Sequence, residues 1–134
     1  MKKIVLILAL IVAAGFFFFG VQKFGAENIV FETIAERSGI SLFEPQIRML
    51  TGVAEIFTAI LILIPRTRFL GALAGLGVLA GAIGFHLSPW LGINVPGIGH
   101  GLFITALVLT ALTATLFVLL KKHGYGLTSG PKND

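Results

Sequence analysis

Five side chains stand where an apolar chain can least accommodate them, and their types are those of proton and anion chemistry: Lys23, Arg48, Glu55, His86 and His100. Glu55 is the only charged residue between Met49 and Ile64. A carboxylate in hydrocarbon costs roughly 2.5–3.5 kcal/mol on insertion scales, so it needs a partner or a wet cavity. Helical periodicity places Arg48, Thr51, Glu55 and Thr58 at i−7, i−4, i and i+3, on one face that must look inward. Lys23 closes the preceding apolar run, His86 closes the one that follows, and His100 opens the last. Three readings compete for Glu55. It pairs with Lys23 or Arg48 and only specifies packing, it is a neutral protonated carboxyl, or it carries protons or a ligand beside a cavity. The pocket reading is favoured, with the static ion pair next. His86 reads as an interfacial hydrogen-bonding group or a proton relay. His100 sits in a glycine-rich loop and reads as exposed. Two histidines and a glutamate suggest a metal, yet no HxxxH or ExxH spacing occurs, so none is expected.

The elements that position these groups follow from composition. The chain is 56% hydrophobic and 12% charged over 134 residues, more apolar surface than a soluble domain of that size can bury. Its mean hydropathy is +0.98. Four apolar stretches, residues 4–21, 47–64, 69–87 and 102–120, each approach the ~20 residues needed to cross a bilayer. The expected fold is an all-α membrane protein, a four-transmembrane-helix bundle in one domain over residues 1–124. Residues 125–134 read as a disordered cytoplasmic tail. Cysteine is absent, which excludes a disulfide, a thiolate nucleophile or a cysteine-held cluster within the chain. The net charge of +4 does not indicate nucleic acid, because the basic residues flank the spans.

Those flanking charges predict orientation. With the N-terminus inside, Lys2, Lys3, Arg66, Arg68, Lys121, Lys122 and Lys132 are cytoplasmic. Lys23, Arg37 and Arg48 then lie outside, with Glu27, Glu32, Glu36 and Glu44. The bias predicts cytoplasmic termini. Lys2-Lys3 and the run behind them imitate a signal peptide, but the run continues through Phe16–Phe19 to Val21, so an uncleaved span is expected.

Residues 24–45 are too polar to cross. Val30, Phe31, Ile34 and Ala35 share one helical side, Asn28, Glu32 and Glu36 another, which predicts a short amphipathic outer segment between the first two spans. Ser38-Gly39 is its stop, Ser41 to Glu44 has capping-box spacing, and Pro45 suits the first turn of the next span. Residues 64–68 form a tight turn that makes the second and third spans antiparallel. Gly71/Gly75 and Gly77/Gly81 have small-xxx-small spacing, expected to let a centrally packed third span approach its neighbours. Trp90 is placed for a headgroup belt.

Several of these residues together resemble a known family. Gly20-Val21-Gln22-Lys23-Phe24 is similar to the end of its first span. Gly52-Val53-Ala54-Glu55-Ile56 leads on to Leu61-Ile62-Leu63-Ile64-Pro65-Arg66-Thr67-Arg68, then Gly71-Ala72, Gly81-Ala82-Ile83 and His86. Over residues 8–120 the chain resembles the DoxX and DoxX-like family, small four-helix membrane proteins of bacteria and archaea. The resemblance implies a prokaryotic cytoplasmic membrane and a place beside membrane redox complexes that handle quinones or thiols. It also implies that Lys23, Glu55 and His86 are the recurring polar positions, whereas Arg48 and His100 enter from the spatial argument alone.

Three functions are open at this point. One is a subunit or accessory of a quinone-linked redox complex, with electrons supplied by a redox partner. Another is a small-molecule- or lipid-binding membrane protein or permease, and the third a purely structural subunit. No catalytic motif decides whether the chain is itself an enzyme. The partners implied are the lipid bilayer, a redox protein subunit and a second copy of this chain.

Overall fold

The computed structural model describes residues 2–26 and 28–132; Glu27, assigned above to the outer side, and the last two residues of the tail lie outside them. The described residues are all-helical: α1 (Lys2–Gln22), α2 (Ile29–Ser38), a 3-10 turn (Ser41–Phe43), α3 (Gln46–Leu63), α4 (Arg68–Leu87) and α5 (Gly101–Lys122). The helices α1, α3, α4 and α5 are long and apolar enough to cross a membrane. Leu6, Leu10, Phe17, Phe57 and Val108 are about half exposed, a distribution compatible with a membrane protein.

Each long helix packs on two others, in the cyclic order α1, α3, α4, α5. Their shared core lies in the half of the molecule where α1 begins and α5 ends. Val5, Ala9, Val12, Ala13 and Phe16 form the inward stripe of α1 against Ala59, Ile62, Ala72, Leu109, Leu116 and Leu120. Spacings of three and four residues keep that stripe on one face. Phe69 of α4 stacks on Phe117 of α5 at 4.8 Å between ring centroids. At the opposite end a second core joins Ile34 of α2, Phe43, Leu91 and Val95. Trp90, 38% exposed, leans on this core through Phe43 and Phe85.

The helix ends account for their orphan backbone groups. Asn28 accepts from the N–H groups of Val30 and Phe31 to start α2. Gly39, at φ +73, ends that helix as Ser38-Gly39 predicted. At the end of α3, Ile64 N–H donates to the Ile60 carbonyl, and Thr67 Oγ1 donates to Leu61. Arg68 donates from Nε to Ile62 (2.7 Å) and from Nη2 to Leu63 (3.1 Å). All four terminal carbonyls are thereby satisfied. Arg68, 5% exposed, is thus more than a topology signal; it is a buried cation at the negative end of a helix dipole.

Two local expectations change. Ser41 and Glu44 do not form a capping box: α3 has no side-chain cap, and the Glu44 carboxylate is held by Arg48 Nε at 2.7 and 2.8 Å. A charge-assisted contact to guanidinium outweighs one neutral cap. The glycines of α4 divide as well. A Cβ on Gly71 would fall 2.7 Å from Ile62 N, and one on Gly75 would fall 2.8 Å from Phe16 Cζ, so these two permit close packing. Gly77, Gly81 and Gly84 face open space, and α4 packs chiefly on α3 and α5 rather than at the centre.

Candidate functional site

The site begins at a crossing of two helices. A Cβ on Gly20 would lie 3.1 Å from the Gly52 carbonyl oxygen, and one on Gly52 would lie 3.0 Å from that of Gly20. No side chain separates α1 from α3 there. Lys23 and Glu55 each stand three residues beyond one of these glycines. Helical side chains lean toward their own N-terminus, and the helices run antiparallel, so the two chains converge across the crossing. Lys23 Nζ reaches 2.7 Å from Glu55 Oε2 and donates to the Phe19 carbonyl at 3.2 Å. Among the described residues the Glu55 carboxylate has no hydrogen-bond or ion-pair partner other than Lys23. Both side chains are largely buried, 13% and 12% exposed.

Beside this pair is a cavity of about 250 Å³. Lys23, Thr51, Glu55 and His86, with Gln22, Asn28 and Thr105 farther out, supply its polar lining, while apolar residues from α1, α2, α4 and α5 supply the remainder. Phe16, Leu79 and Leu109 close it toward the packed half, where α1 and α5 meet at Gly15 and Leu109. Gln22, Ile29, Ile98 and Thr105 line it and are exposed, which sets its mouth between the α1–α2 corner and α5. Phe31 and Ile34 of α2 and Leu91 of the 88–100 loop also line it, so the second core forms its cover.

His86 is 6% exposed, and its Nδ1 lies 2.9 Å from the Gly92 carbonyl oxygen. A carbonyl only accepts, so Nδ1 carries the hydrogen of this bond. That bond ties the end of α4 to the loop covering the cavity. Arg37 does the same from α2, donating to the Leu91 carbonyl at 3.2 Å.

Arg48 and His100 stand outside the cavity lining. Arg48 is 2% exposed and fully engaged, with Glu44 on one side and the carbonyls of Lys23 (2.5 Å) and Gly25 (2.7 Å) on the other. It clamps the last turn of α1 to the start of α3 and so positions Lys23. His100 is exposed and precedes α5 without a side-chain cap. Of the five sequence candidates, Lys23, Glu55 and His86 therefore share one cavity. No hydrogen bond or ion pair joins Glu55 and His86; they line the same space from α3 and α4.

Among the described residues no cluster of His, Asp or Glu is arranged to hold a metal. The apolar lining was the part that sequence inspection missed. Phe16, Phe19, Leu79 and Leu109 read simply as span residues, although the repeated Gly-x-x-Lys and Gly-x-x-Glu spacing marked where α1 and α3 would touch. No protein-family model matches the chain, and no curated protein or solved structure matches it.

Proposed function

We propose that the chain is a four-helix bundle in a prokaryotic cytoplasmic membrane, with both termini inside and α2 as an amphipathic cover at the outer interface. Its cavity binds the polar head of an amphipathic small molecule, whose apolar remainder leaves through the mouth toward lipid. The observation that carries this reading is the Lys23–Glu55 pair facing an apolar-lined cavity, with Lys23 the partner of the carboxylate and its remaining acceptor capacity unused among the described residues. A buried carboxylate with spare acceptor capacity is expensive, and a ligand hydroxyl or ring N–H lowers that cost.

Size narrows the ligand. A cavity of ~150 Å³ holds benzene, so about 250 Å³ fits one substituted six-membered ring and little more. A quinone head fits this description, with Lys23 Nζ as donor to a quinone oxygen and Glu55 or His86 as proton exchanger. Together with the DoxX-like resemblance, this supports an accessory role in a quinone-linked redox complex, with electrons supplied by a partner subunit. The closed half below Phe16 and Leu109 favours binding over conduction, so the permease alternative ranks second.

The test is native mass spectrometry of the protein extracted from its own membranes in mild detergent, alongside Glu55→Gln. A retained quinone-sized molecule lost in the folded variant is the expected outcome. Wild-type protein carrying only bulk lipid would reduce the ion pair to an element of architecture.

A further inference from the structure

A second cavity, at the other end of the helices, has a different chemistry. It is an open cavity of about 610 Å³, lined by the exposed Lys2 and the buried Val5 of α1, the exposed Lys122 at the end of α5, and His123, Tyr125 and the exposed Lys132 beyond it. Three lysines from three separate segments thus face one space, with no carboxylate among its described lining residues. His123 Nε2 is shielded from solvent and has no hydrogen-bond partner among the described residues.

The backbone builds this arrangement. Tyr125 N–H donates to the Leu120 carbonyl and Gly124 N–H to that of Lys121, with Gly124 at φ +74. That pair of bonds across a left-handed glycine is a Schellman ending, which reverses the chain sharply. Tyr125 then packs on the main core, and Gly126 and Ser129 close a turn. Gly130 passes near the Pro65 carbonyl in the α3–α4 turn, and the Lys132 stem returns against Gly124. The tail is therefore a strap beneath the helix ends, and Lys132 is brought to Lys2 and Lys122 by the fold rather than by sequence proximity. Val5, 3% exposed, gives the space an apolar side adjoining the spans.

We infer that this cavity is a binding site for a phosphate-bearing anion, either a phospholipid headgroup or soluble phosphate. Three ammonium groups supply the counter-charge, and His123 lines the same space. Basic pockets at the ends of membrane helices take anionic headgroups, with each lysine near the surface contributing about fivefold in affinity. The position, where α1 enters and α5 leaves its apolar run, sets such a phosphate at headgroup depth.

The full chain is purified in mild detergent and exchanged against phosphatidylglycerol or phosphatidylcholine, and the one-lipid adduct is read by native mass spectrometry. In parallel, binding of inorganic phosphate alone is read by 31P line broadening. Two charge-matched double variants are compared, Lys122→Gln/Lys132→Gln in the cavity and Lys3→Gln/Lys121→Gln outside its lining. The expected result is a preference for phosphatidylglycerol that falls by roughly twentyfold or more in the first double and stays within about threefold in the second. Inorganic phosphate that broadens and displaces the lipid identifies soluble phosphate as the ligand; its failure to do either identifies the headgroup. Equal losses in both doubles, or none in either, overturn the site. Should Lys122→Gln/Lys132→Gln not fold, Lys132→Gln alone, in the exposed strap, decides on the same criterion.

Discussion

Lys23 and Glu55 meet at 2.7 Å, and they do so because Gly20 and Gly52 allow their helices to touch backbone to backbone. Each charge stands three residues past its glycine, so one contact between helices sets both the packing and the polar centre. The structure ties helix stability to site geometry at this crossing, and the consequences can be measured.

Breaking the pair should cost more than removing it. Lys23→Met leaves the Glu55 carboxylate buried without a counter-charge, a change worth about 3–5 kcal/mol when one partner of a buried pair is lost. The double change Lys23→Met/Glu55→Leu should recover most of that loss, because no ion remains to be solvated. Thermal unfolding in detergent across the four proteins of the cycle gives the coupling. Strictly additive effects would mean that the two charges do not interact energetically.

A methyl group at the crossing should separate the pair. Gly52→Ala would put a Cβ 2.9 Å from Lys23 Cβ and 3.0 Å from the Gly20 carbonyl oxygen. Overpacking of this kind costs about 1–3 kcal/mol. Gly81→Ala, with nothing near it, should leave stability unchanged or slightly raised, since alanine is the better helix former by about 1 kcal/mol. A comparison of their melting temperatures tests the assignment, and equal effects would refute it.

Arg48 should not tolerate lysine. Its guanidinium serves a carboxylate and two carbonyls at once, which a single ammonium point cannot reproduce. Charged hydrogen bonds contribute about 1.5–3 kcal/mol each, so Arg48→Lys should lose at least about 2 kcal/mol. Unfolding curves check this directly, and a native-like midpoint for Arg48→Lys would refute the clamp.

Filling the cavity should remove binding while sparing the fold. Ala106, on the cavity wall, has room before it. Ala106→Phe should abolish retention of a quinone-sized ligand and shift the midpoint by less than Gly52→Ala does. Retention at wild-type level would place the ligand elsewhere.

Orientation is accessible because the chain has no cysteine of its own. Asn94→Cys and Thr128→Cys each place one thiol at an exposed position at opposite ends of the helices. In intact cells an impermeant maleimide should label Asn94→Cys at once and Thr128→Cys only after permeabilisation. The reverse pattern would invert the topology.

The helices themselves were legible in the sequence because their signals are local. Runs such as 4–21 and 102–120 are long and apolar whatever they pack against, and Ser38-Gly39 carries its own stop in the backbone freedom of glycine. The inward face holding Arg48, Thr51, Glu55 and Thr58 also followed from period alone: Arg48, Glu55 and Thr58 are buried, and Thr51 is half-buried in the cavity lining. Partner choice did not. Periodicity could not say whether Glu55 takes Lys23 or Arg48, because both lie within reach of its face and the outcome depends on a helix crossing at Gly20 and Gly52. Once Arg48 is committed to Glu44 and the end of α1, Lys23 is the cation left beside Glu55. The same holds for the two cavities. Their walls are assembled from α1, α5 and loops distant in sequence, and only the tertiary structure decided which apolar residues stay exposed, which face one another, and which leave a space between them.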